Sequence, residues 1–140
     1  MEIFFARLDP KTHRFRVARP PHPAVDVRLE TRSLLLHDMA HYAVEATLGT
    51  EEGFYGHLAR GTTLPELRAL EERDALMAIE RQVVGLQMAH RRGAAPSDPA
   101  SRTLRAITGA WRKARQGEAL RLRWPDPSPE LVPAPPSPRR

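Results

Sequence analysis

The sequence predicts an α+β fold: an antiparallel sheet of about four strands, elements in the order βββαααβ, and helices packed on one face of the sheet. Three observations carry this. Strict apolar/polar alternation appears near both ends of the chain, as in Val25, Val27 and Leu29 against Asp26, Arg28 and Glu30, the period of a half-buried strand. Between those ends, three segments space their apolar residues three and four apart, the period of a helix. Turn and cap residues punctuate the chain where the period changes.

Taken in order, Glu2–Leu8 is rich in β-formers (Ile3, Phe4, Phe5), and Asp9-Pro10-Lys11-Thr12 is turn chemistry. Phe15 and Val17 then alternate with Arg14 and Arg16, and Pro20-Pro21-His22-Pro23 ends that strand. The third strand follows, so a three-stranded meander opens the fold. Thr31 or Ser33 can cap a first helix running to about Leu48, with Gly49 as a left-handed stop. Glu51–Gly61 reads as a short helical turn or loop. Thr63-Leu64-Pro65-Glu66 fits a capping box with Pro in the first turn, opening a helix that can reach Arg92, with Gly93 as its stop. The second half of that helix is apolar on two sides, through Met77, Val84 and Met88 and through Leu76, Ile79, Val83 and Leu86, so it is expected to be central and largely buried. Ser97-Asp98-Pro99 starts a third helix ending near Gly117, with Leu104, Ile107, Trp111 and Ala114 on one face. Leu120, Leu122 and Trp124 alternate with Arg121 and Arg123 in a fourth strand. From Pro125 onward seven of 16 residues are Pro, which predicts a disordered or polyproline tail over 125–140 behind a single domain at 1–124.

Composition narrows the chemistry. None of the 140 residues is cysteine, which excludes disulfides, thiol nucleophiles, Fe–S clusters and Cys-type zinc fingers. No apolar run is long enough to span a membrane. Met1-Glu2-Ile3 lacks the basic-then-apolar pattern of a secretory signal, so a cytoplasmic location is expected. The net charge of +5 is uneven. Residues 1–101 hold 13 basic and 14 acidic side chains; residues 102–140 hold nine and three. The basic surplus therefore belongs to the C-terminal segment, where Arg102, Arg105, Arg112, Lys113, Arg115, Arg121, Arg123, Arg139 and Arg140 can track phosphates or form a solvated face.

The one cluster suggestive of chemistry lies on the first helix. His37, His41 and Glu45 are spaced i, i+4, i+8 and so point the same way. Two imidazoles at i, i+4 can converge on one metal, and a carboxylate one turn on is a sensible third ligand for a divalent ion such as zinc. Asp38 borders that face and can orient an imidazole or act as a weak base. It is one methylene shorter than the Glu that follows the first His in metalloprotease helices. Leu35, Met39, Ala43 and Ala46 lie opposite, yet Leu34, Val44 and Leu48 lie on or near the polar side, so something is expected to cover it. The segment Gly53-Phe54-Tyr55-Gly56-His57 can fold back there, which makes His57 and Tyr55 further ligand-binding candidates. The bland alternative is a structural His/Asp/Glu network.

The stretch from His37-Asp38 through Val44-Glu45 to Gly53-Phe54-Tyr55-Gly56 and Ala59-Arg60-Gly61 resembles a group of small uncharacterised bacterial proteins. They share a His-Asp-x-x-His-x-x-Val-Glu … Gly-Phe-aromatic-Gly core. The resemblance covers about 30 residues firmly and implies a shared fold, with no assigned activity. A His-Asp-x-x-His zinc motif also occurs in proteins of ubiquinone biosynthesis, with a Glu where this much shorter chain has Gly53; Glu52 falls one residue short.

The functional expectation is a small protein with a polar His37/Asp38/His41/Glu45 site able to bind a divalent metal, and, if an enzyme, one of metal-assisted hydrolysis. The rival is a non-catalytic interaction domain whose basic C-terminal face meets an acidic partner or nucleic acid. A homodimer built through the helices is the third expectation.

Overall fold

A computed structural model describes residues 1–71 and 76–136. A five-stranded antiparallel sheet has the order β3-β2-β1-β4-β5, from β1 (Glu2–Arg7), β2 (Thr12–Ala18), β3 (Val25–Glu30), β4 (Glu118–Arg123) and β5 (Glu130–Pro133). The meander and the fourth strand stand as the alternation implies. Phe5 pairs with Phe15 on one side and Leu120 on the other, and Ile3 with Val17 and Leu122. This register puts Ile3, Phe5, Phe15, Val17, Leu120 and Leu122 on one face, and all six are fully buried.

That face is covered by α1 (Leu36–Leu48), α2 (Phe54–Ala59), α3 (Leu64–Glu71), α4 (Met77–Arg91) and α5 (Pro99–Lys113). The stop at Gly49 is left-handed, with φ 65°, and Gly93 behaves likewise with φ 70°. Asp98 caps α5 reciprocally with Ser101, and Thr63 pairs with Glu66 at the head of α3. From β1, Arg7 reaches the C-terminal end of α5, donating to the carbonyls of Trp111 and Ala114 at 2.8 and 2.9 Å and lying over the Trp111 ring. A cation at that end suits the helix dipole.

Three expectations change. Neither Thr31 nor Ser33 caps α1; a π-helical turn over Thr31–Leu35 leads into it instead. The Thr31 N–H is drawn to the Lys11 carbonyl and its hydroxyl lies 3.2 Å from His13 Nδ1. The second change concerns the central helix. It is α1, in which every residue from Asp38 to Glu45 is buried. In α4 only Val83 is buried, while Met77, Val84 and Met88 are exposed. A helix apolar on two sides can bury only one when it packs at the edge of the layer. Whether one helix joins α3 to α4 falls at 72–75, outside the described residues.

The third change is the tail. Residues 130–133 form β5 against β4. The Asp126 carbonyl accepts from Tyr42 Oη at 2.7 Å, and the Pro135 and Pro136 carbonyls accept from Arg14. Proline does not disorder this segment, because an edge strand needs donors on one side only. The pattern Glu130-Leu131-Val132 supplies them. Residues 137–140, including Arg139 and Arg140, lie outside the described residues. On the opposite face of the sheet, the charged side chains pair with one another. Arg14 pairs with Asp26 and is only 8% exposed, and Arg16 joins them at 2.7 Å. Arg121 meets Glu2 and Glu130.

Candidate metal centre

α1 supplies the two histidines from its buried middle. His41 is fully buried. Its Nδ1 donates to Glu45 Oε2 at 2.8 Å, and its Nε2 lies 2.7 Å from Glu80 Oε1. Burial alone lowers an imidazole pKa; the two carboxylates outweigh it and push His41 up to about 9. His37 stands edge-on to it, ring centroids 4.7 Å apart. Burial, then the neighbouring His41, lowers the His37 pKa.

Two acids from other helices complete the group. Glu71 ends α3, and its Oε1 is 4.0 Å from both His37 Nε2 and His41 Nε2. Glu80 comes from the first turn of α4. One ligand atom from each of His37, His41, Glu71 and Glu80 falls within 4.8 Å of the others, so this cluster could hold a metal ion. Its two nitrogens and two carboxylate oxygens suit zinc, iron or manganese. His37, Glu71 and Glu80 side chains keep 21%, 15% and 24% exposure while His41 keeps none. The group therefore sits at the border between interior and solvent.

Glu45 is placed differently from the expectation. Helical spacing does put it beside His41, but on the Nδ1 side, away from Glu71 and Glu80. Its Oε1 accepts the Tyr55 N–H at 2.9 Å while its Oε2 holds the ring. Both oxygens are thus committed, and Glu45 fixes the His41 ring from behind. A side chain at Gly53 would run into the Glu45 carboxyl, and one at Gly56 into the Glu51 backbone. Those glycines let α2 close over α1.

Tyr55 is fully buried and donates its hydroxyl to the Asp38 carbonyl at 2.7 Å, which ties α2 to α1. His57 stands outside the cluster, its Nδ1 3.0 Å from Arg60 Nη2. Phe54 packs on the His41 ring and receives the Arg68 guanidinium on its face at 5.2 Å. The expected cover over the polar side of α1 is therefore α2 together with α3 and α4.

Asp38 is fully buried, and neither carboxyl oxygen has a hydrogen-bond partner. Arg68 Nη1 stands 3.7 Å from Oδ1, beyond hydrogen-bond range, and 3.3 Å from Glu71. Burial pushes the Asp38 carboxyl up to about 7 against the pull of Arg68. With 1% side-chain exposure it is closed off from solvent, unlike the base of a hydrolytic water.

Sequence reasoning missed Glu71 and Glu80, though a signal exists. Leu76 and Val83 are buried, and Glu80 lies four residues after one and three before the other, on the same helical stripe. Glu71 likewise lies four residues after the buried Leu67. An acid within an inward-facing stripe needs a partner there.

No family model, curated protein or solved structure matches this chain. The site must be read from its own geometry. No helix among the described residues is long and apolar enough to cross a membrane.

Proposed function

We propose that the seam between α1, α3 and α4 binds one divalent transition-metal ion through His37, His41, Glu71 and Glu80, and that the chain belongs with the His-Asp-x-x-His-x-x-Val-Glu proteins it resembles. The observation that carries this reading is the convergence of four ligand atoms from three helices within 4.8 Å. Support comes from Glu45 on the remaining nitrogen of His41, the outer partner that ligating histidines ordinarily have. The partial exposure on the His37 and Glu80 side leaves room for water at an ion seated there. A metal-bound water of lowered pKa is a hydrolytic nucleophile, so metal-assisted hydrolysis is the reaction class we assign. Glu71 and Glu80 flank that side; Asp38 does not.

A second reading is favoured by the two short contacts of His41. An imidazolium held by Glu45 and Glu80 is a satisfied ion-paired bridge between α1 and α4 without any metal. Elemental analysis of the purified chain and of a His37→Ala/His41→Ala variant separates the two. About one equivalent of metal in the parent and none in the variant is expected. Substoichiometric metal in both overturns the metal reading and leaves the bridge.

A further inference from the structure

Away from the histidine cluster, a cleft of about 510 Å³ opens between the C-terminal half of α4, the following loop and α5. That volume is in the usual range of small-molecule sites. Val44 of α1, Leu86 of α4 and Leu104 of α5 give it an apolar lining, and Val44 and Leu104 are buried at its base. Three basic side chains also line it: His90, Arg105 and Arg112. Burial, then the neighbouring Arg112, lowers the His90 pKa. Arg105 and Arg112 are exposed and enter no ion pair among the described residues. The acid that lines the cleft, Asp98, is already committed to capping α5.

Gly85 adds an independent observation. It sits in the middle of α4 and lines the cleft. A mid-helix glycine costs about 1 kcal/mol relative to alanine. At Gly85 no close packing requires that cost, because a Cβ there meets nothing within 4 Å. What the missing side chain provides is open space in the cleft.

We propose that this cleft binds a small amphipathic carboxylate, its apolar body against Val44, Leu86 and Leu104 and its carboxylate held by Arg105 and Arg112. Guanidinium groups fit a carboxylate through paired hydrogen bonds, and the apolar lining gives the body of the ligand a place out of water. The site is separate from the metal reading and stands or falls without it.

The test is an amide chemical-shift titration of the full chain with decanoate, with decanol and inorganic phosphate as comparison arms. Decanoate is expected to shift Gly85, Leu104 and Arg112. An Arg105→Gln/Arg112→Gln variant is expected to weaken decanoate by about tenfold or more while leaving decanol unchanged. Gly85→Leu fills the cleft and is expected to abolish decanoate binding with a melting temperature no lower than the parent's, since the helix gains propensity. Phosphate shifting the same residues as strongly as decanoate would mean that charge alone is recognised, and overturns the proposal. So does unchanged decanoate binding in Gly85→Leu, or an absence of shifts at the cleft.

Discussion

Two fully buried histidines in this chain are driven in opposite directions. His13 lies on the inner face of the sheet, beside Phe5 and Trp111, with Nε2 unpartnered and only the Thr31 hydroxyl near Nδ1. Burial holds its pKa down at about 4. His41 lies in the helical layer, equally buried, and its carboxylate neighbours push it up to about 9. The same side chain is thus a neutral core filler in one region and a charged or ligating group in the other. Burial alone does not mark a histidine as functional. What sets His41 apart is the convergence of acids from separate helices, since each acid taken out of water costs several kcal/mol unless a cation meets it.

The largest expected effect breaks the His41 side of this contrast. His41→Ala leaves Glu45 buried without its cationic partner and is expected to cost about 3–5 kcal/mol by denaturant unfolding. A loss under about 1 kcal/mol would show that Glu45 is not held as an ion pair. His13→Leu is the counterpart. It removes an imidazole with an unpartnered nitrogen and keeps the apolar volume, so stability at pH 8 should change by no more than about 1 kcal/mol.

Acid sharpens the contrast next. A histidine whose folded pKa is lowered is fully favourable to the folded state above its unfolded pKa of 6.5 and becomes unfavourable as pH falls towards 4. The parent should lose on the order of 3 kcal/mol across that window through His13, a slope that His13→Leu should lack. An identical pH profile for the two would remove His13 as the source. Tyr55→Phe is expected to cost about 1–2 kcal/mol by leaving the buried Asp38 carbonyl without its donor, read from the same unfolding curves. The smallest effect belongs to the surface. Arg28 pairs with Asp9 in the open, at 66% side-chain exposure, and Arg28→Ala should move stability by less than about 0.5 kcal/mol.

Much of this fold is legible in the chain. Period-two alternation locates β3 and β4, and Gly49, Gly93, Asp98 and the Thr63/Glu66 pair mark helix ends. What escapes is what depends on layering. The two-sided apolar pattern of Met77–Leu86 says that α4 can be central, but not that α1 takes that place. The proline content of 125–136 hides an edge strand, since proline forbids only half of the pairing that a central strand requires. At the site, His37 and His41 are found by spacing because both lie on one helix. Glu71 and Glu80 arrive from helices far along the chain, and only tertiary packing reveals them. Glu45, though correctly placed on the histidine face, turns out to act through His41 Nδ1, since spacing gives a direction without giving the ring nitrogen. The glycines of the Gly-Phe-aromatic-Gly segment acquire a physical reason: Gly53 accommodates a carboxyl, and Gly56 a backbone.

The central claim is that the acids around His41 form a site, where those around the sheet arginines form a scaffold. Calorimetric titration of zinc into the full chain, beside Glu80→Gln and Asp26→Asn, tests it most directly. One equivalent should bind to the parent and to Asp26→Asn with the same affinity, and about 10-fold or more weakly to Glu80→Gln. Equal binding to all three chains, or none to the parent, would contradict the claim and leave His41 as a buried ion-paired bridge.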